Sequence, residues 1–372
     1  MRPYAFVLFC AALSAHALTP AEISIRKAEQ DIARQPDHYP YYNALAMAYA
    51  RRARETSDVA FYGKAEDTLK RSFTIAPDNY EGLKVKTWLL LGRHEFAKAL
   101  DIGKDLNHRA PDDVTVYGYL ADANTELGNY ADAVAAIQWM LDLRPGNVAG
   151  LTRAAYQREL HGDLSGALDL MQMAYDATPF QEFEDRAWLI TQMAHLHFLA
   201  GNLEKAETSA RGALDLFPNY HYALGVLGQI RMAQSRFDEA AGFFEKRYAA
   251  APHAENLYSL AEALERAGRH TEADAAFRTF EEKALAESAL ADNANHELIA
   301  FYVDHAKDPA KALRLAEQEL SRRHDVYTVD AHAWSLAAAG DPAEANAELH
   351  QALALGVKDP KLLDHARLIA VR

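Results

Sequence analysis

The feature that most constrains this chain is a spacing. Prolines stand at 77, 111, 145 and 179, three successive intervals of 34 residues, and recur at 218 and 252. Twelve residues before each proline stands an alanine: Ala65, Ala99, Ala133, Ala167, Ala206 and Ala240. The alanine series continues without the proline through Ala273, Ala312 and Ala345. Five residues before the alanine comes Gly128, Gly162, Gly201, Gly268 or Gly340, with Ser235 standing in once; Asn129, Asp163, Asn202, Asp308 or Asp341 occupies the next position. Such a period marks small units that cannot bury an apolar face alone and must stack on their neighbours. The 372 residues therefore need not divide into two or three ordinary domains.

Each marker has a local reason. Glycine at the end of one helix adopts the left-handed conformation that stops it, and the Asn or Asp after it can cap the amides opening the next. In "GDPAEA" the cap is Asp341, the first helical residue Pro342, and Glu344 lies in the first turn, where negative charge suits the helix dipole. The recurrent alanine marks where two helices cross too closely for a larger side chain. Proline ends the second helix and directs the chain into the next pair. Beyond the repeats, Thr19, Pro20 and Glu22 read as cap, first turn and capping box of a lone N-terminal helix. Asp359-Pro360 opens a last helix whose apolar stripe is Leu362, Leu363, Ala366, Ile369 and Ala370.

The third unit, residues 114–147, carries Leu120, Ala121, Ala133, Ile137 and Pro145, and on these positions the chain resembles the tetratricopeptide repeat family. The resemblance covers residues from about Pro40 to Lys358. It implies an all-α, right-handed superhelical α-solenoid of about nine helical hairpins over residues 40–359, with capping helices over 18–39 and 360–372. Departures are visible: Asn124 and Arg158 stand where the family places an aromatic, the last three units lack the proline, "RRARETSDVAFYGK" lengthens the first unit, and "FQEFEDR" lengthens the link before the fifth. A narrower resemblance, carried by the first of these insertions, "RELHGDLSGALDLMQMA" and the C-terminal "DAHAWSLAAAGDPAEANAELHQALALGVKDPKLLDHA", is to a bacterial group of exported repeat proteins.

Export is also read from the N-terminus, where Arg2, an apolar stretch from Tyr4 to Leu13 and Ala15-His16-Ala17 form a cleavable signal peptide over residues 1–17. The expected location is the periplasm or the cell exterior. Cys10 is the only cysteine, so the mature chain would have neither disulfides nor thiolate chemistry. No later apolar run is long enough to span a bilayer, so no integral membrane segment is expected in the mature chain. A formal charge of −14 argues against nucleic acid as a partner. Motifs for catalysis are missing: "HELIA" at His296 has alanine where a zinc protease needs its second histidine, and His195 and His197 lie on different faces of a helix. Neither enzymatic activity nor a cofactor or metal is expected.

The family resemblance implies that positions 2, 5, 9, 12 and 13 of each unit face a concave groove. In units four to six these include Tyr156, Trp188, His195, Phe198, Tyr222 and Gln229, an aromatic and apolar strip; in units seven to nine they include Tyr258, Glu262, Glu297, Phe301, Asp304, Asp330 and Trp334, acidic with aromatics between. From His253 onward 21 acidic residues face 13 basic ones. The function expected on this reading is a non-catalytic protein- or peptide-binding scaffold of the bacterial envelope. Its groove would take an extended segment with an apolar middle and a basic end. Two alternatives stand beside it: a structural subunit of an envelope or secretion assembly, docking by its convex face or ends, and an enzyme or metal carrier using His195, His305 and nearby carboxylates.

Overall fold

Twenty α-helices run through residues 18–56, 58–290 and 292–371, the residues that a computed structural model of the chain describes. Residues 1–17, read from the sequence as a signal peptide, lie outside them. A single helix, α1 (Pro20–Arg34), precedes nine helical hairpins. These are α2/α3 (Tyr39–Thr56, Ala60–Ile75), α4/α5 (Tyr80–Gly92, Phe96–Arg109), α6/α7 (Val114–Glu126, Tyr130–Leu143), α8/α9 (Val148–Leu160, Leu164–Ala177) and α10/α11 (Phe183–Leu199, Leu203–Leu216). They continue as α12/α13 (His221–Ala233, Phe237–Ala250), α14/α15 (Ala254–Arg266, His270–Glu287), α16/α17 (Asn295–Asp304, Pro309–Leu320) and α18/α19 (Val326–Ala339, Pro342–Leu353). The last helix is α20 (Pro360–Ile369). The nine-hairpin solenoid with a helix at each end is the architecture expected from the repeat.

The sequence markers occupy the places their chemistry requires. None of the nine recurrent alanines is more than 1% exposed, as a tight helix crossing demands. The five turn glycines have φ between 74 and 101°, and Ser235, His94 and Lys307 adopt positive φ at the equivalent position of their hairpins. Asp163, Asp308 and Asp341 accept the backbone amides of Gly166, Lys311 and Glu344. Asn129 and Asn202 form no such cap, contrary to expectation; Asn129 instead donates to Asn124 across the turn at 3.2 Å. Thr19 and Glu22 form the reciprocal capping box. On α20 the buried stripe is Leu362, His365 and Ile369, while Leu363 and Ala370 face solvent, because His365 reaches a carboxylate on α18 and takes the inward place.

The solenoid closes on itself. The turn of the second hairpin places His94 3.8 Å from Asp292 in the linker after the seventh. At the third turn, Glu126 accepts the His324 amide at 3.0 Å and the Tyr130 hydroxyl accepts that of Val326 at 2.9 Å, both in or beside the linker after the eighth hairpin. The fourth turn meets the linker after the ninth, where a Cβ on Gly162 would lie 2.3 Å from the Gly356 carbonyl. Leu160 of α8 consequently belongs to the C-terminal hydrophobic core. This seam turns the open groove expected from the sequence into a narrow bore.

Candidate binding site in the concave bore

First helices of the N-terminal hairpins supply most of the lining of the bore. α6 contributes Asp122, Thr125 and Glu126, α8 contributes Thr152, Arg153 and Tyr156, and α10 contributes Trp188 and Gln192. Arg51 and Arg54 reach in from α2, and Arg323 from the linker before α18. Together they enclose a cavity of about 970 Å³, the upper end of what ligand pockets offer.

The cavity's charges are neutralised within the chain. Asp122 accepts from Arg153 through both oxygens, at 2.7 and 2.5 Å, a forked geometry suited to guanidinium. Arg51 pairs with Glu182, and Arg54 pairs with Glu184 at 2.5 Å and with Asp185. Burial, reinforced by Asp325 and opposed by Arg323 3.6 Å away, pushes the Glu126 carboxyl up to about 7. Burial also holds the Tyr156 phenol well above its ordinary value, with the nearby Glu126 and Tyr327 adding to the effect, so it stays neutral. What remains to a ligand is the indole of Trp188, the Tyr156 ring and the hydroxyl and amide groups of Thr152 and Gln192. That lining recognises shape and hydrogen-bonding pattern rather than net charge. Among the described residues no group of three His, Cys, Asp or Glu side chains is placed to hold a metal ion. None of the described helices is long and apolar enough to cross a membrane.

The thirteen residues assigned to the groove from sequence fall into three settings. Tyr156 and Trp188 lie on the cavity wall. His195 points to the buried Glu159 at 3.2 Å; burial opposes its protonation, but the carboxylate prevails and holds the imidazole above its ordinary value. Phe198 packs on the core between the fifth and sixth hairpins, and Tyr222 and Gln229 are exposed.

Six of the other seven are drawn into side-chain contacts, and Glu297 lines a small cavity. Tyr258 and Phe301 are buried against Phe277 and Phe280 of α15 rather than displayed. Phe277 and Phe280 each contact both rings, so α14, α15 and α16 share one aromatic cluster. Glu262 is 3.9 Å from His305. Asp304 accepts the Trp334 indole N–H at 3.0 Å, Asp330 accepts from His365 at 2.9 Å, and the Trp334 ring stacks on His365 at 4.3 Å. α20 thereby covers Asp330 and Trp334, which with Glu297 line a separate small cavity of about 230 Å³. Sequence reasoning missed Arg51, Arg54, Arg153 and Arg323 at the main cavity; for the first two the signal was available in the insertion that carries them.

A family model described as "Tetratricopeptide repeat" matches residues 120–182 and 191–255, and the paired helices continue its geometry to both sides. Over these residues the chain carries tetratricopeptide repeats. Comparison with curated proteins gives no match. Among solved structures, a chain of the APC/C hetero-tetramer Cut9–Hcn1 superposes with a TM-score of 0.52 at 15% identity, over 93% of this chain and 59% of that one. The chain thus spans under two thirds of that structure's length. The human IFIT1 dimer with PPP-AAAA gives a TM-score of 0.50 at 14% identity, over 91% of this chain and 96% of the other. At such identities the likeness is one of fold.

Proposed function

We propose that the protein is a non-catalytic scaffold of the bacterial envelope that holds a segment of a partner protein or a peptide in its concave bore. The fold itself is that of an interaction scaffold. The observation that carries the finer reading is the cavity between the first and fifth hairpins, walled by Trp188 and Tyr156 with every guanidinium already paired. Such a lining favours an apolar or aromatic side chain flanked by backbone amides. The acidic C-terminal half, with Glu255 and Glu297 in electrostatic contact, favours a basic end on the same segment. With the mouth bridged by Arg51 and Arg54, the bound portion is a short stretch rather than a segment threaded along the whole groove. The envelope location rests on the signal-like residues 1–17 and on the resemblance to exported repeat proteins.

The test is partner capture by the Trp188→Ala variant. Capture should fall at least about tenfold with helicity unchanged, the size expected when a central aromatic anchor is removed. Undiminished capture would refute the bore as the site. A second reading, docking by the convex face, is favoured by Trp139 and Met173, 53% and 52% exposed at equivalent positions of neighbouring hairpins. On that reading Trp139→Ala weakens capture and Trp188→Ala is silent.

A further inference from the structure

Two of the places where the repeat length is broken meet in space. The first insertion extends α2 to 18 residues, against 13 for the first helices of the next three hairpins, and it carries Arg51 and Arg54. The second insertion does more than lengthen a linker. It adds a turn to the start of α10, which reaches 17 residues, and sets Glu182, Glu184 and Asp185 at its N-terminus. Arg51 pairs with Glu182, and Arg54 with Glu184 and Asp185, across the bore between the first and fifth hairpins. Four of these five residues line the main cavity.

We propose that the two insertions form an ionic clasp that closes the mouth of the cavity and releases to admit the bound segment. The contact is made by charge alone: among the described residues, no hydrophobic cluster joins α2 to α10. Apolar packing would hold the two helices in every salt concentration, whereas partly exposed ion pairs are individually weak and screened. Each side also keeps a partner when the clasp is open. The three carboxylates stay at a helix N-terminus and Arg54 in the last turn of α2, where the helix dipoles favour those signs. Arg51 retains Glu55 at 3.6 Å, and the buried Glu184 retains the Tyr220 hydroxyl at 2.8 Å. Opening therefore leaves Arg51 and Glu184 with a side-chain partner, and Arg54, Glu182 and Asp185 with water and the helix dipoles. The seam where Leu160 joins the C-terminal core has the apolar packing that the contact of α2 with α10 lacks. The clasp serves the binding role proposed for the bore, but its closure is measured without any ligand.

The experiment places spin labels on cysteines introduced at the exposed Val59 and Phe180 of the full chain, with Cys10 replaced by serine, and measures the distance between them. At about 0.05 M NaCl one narrow distance is expected; at about 1 M a second, longer population should appear, because the screening length falls several-fold. The R51E/R54E variant should show the longer population at low salt, and adding E182R/D185R should restore the narrow one. A single distance unmoved by salt and by both variants would overturn the clasp. If the reversed variant does not fold, the salt titration of the parent chain decides alone. A clasp that opens while Trp188→Ala leaves capture intact would leave the clasp standing and remove the bore as binding site; a rigid clasp with Trp188-dependent capture would do the reverse.

Discussion

Gly128 and Gly201 occupy the same turn position with nearly the same φ, 74 and 75°, yet their surroundings differ. A Cβ on Gly128 would sit 2.6 Å from the His324 carbonyl, whereas one on Gly201 meets nothing within 4 Å. Asparagine tolerates the left-handed conformation, so Gly201→Asn should cost only the modest backbone penalty. Gly128→Asn must in addition push the seam apart. Its denaturation midpoint is expected to fall well below that of Gly201→Asn, and equal midpoints would show that the seam contact contributes nothing. Glu255 gives a pH prediction. Burial, then the adjacent Glu297, pushes its carboxyl up to about 7 in the folded chain, above its value when unfolded. Protonated Glu255 is thus compatible with the fold, and the penalty of ionising it grows as pH rises from about 4.5 to about 7. Glu255→Gln should match the parent chain in thermal stability near pH 4.5 and exceed it near pH 8. A constant difference across that window would contradict the assignment. At this scale the glycines and alanines were legible in the sequence because their constraints are local. The partner of Gly128 was not, since His324 lies in a linker remote in the chain, and the burial that brings Glu255 under the influence of Glu297 on the next hairpin is not written in their spacing.

Helix starts test the capping chemistry one hairpin at a time. Asp308 accepts the Lys311 amide at 3.1 Å, while Asn202, at the equivalent position of the fifth hairpin, caps nothing. Asp308→Ala should therefore lower stability by about 0.5–2 kcal/mol in a denaturant titration, and Asn202→Ala by much less. Equal losses would show that residue type rather than the observed bond sets the effect. Element existence was readable from the 34-residue period, as were the ends of most helices from Gly and Pro. The insertions were visible as extra residues, but their conversion into longer α2 and α10 was not, because a Glu-rich or Arg-rich stretch serves equally as linker or helix until its partner is known. Tyr258 and Phe301 were assigned to the groove by a uniform register. Their contacts with Phe277 and Phe280 of α15 make them core, a side-chain packing that positional counting does not register.

Across the whole molecule the decisive feature is closure. Nine similar units wind until the turns of hairpins two to four touch the linkers after hairpins seven to nine, and the concave face becomes a bore with a main cavity and a smaller one beneath α20. The superhelical rise that decides this contact is the sum of many small rotations between neighbours, so no single stretch of sequence encodes it. Asp330 and Trp334 are hidden for the same reason, since the last helix folds over the groove. The central claim is that a partner is held inside the bore rather than on the outer surface. The most direct measurement is photo-crosslinking in living cells from a reactive residue placed at position 188, inside, and at position 139, outside. A protein adduct formed from 188, diminished by Tyr156→Ala and missing from 139, is the expected result; an adduct formed from 139 alone would contradict the claim.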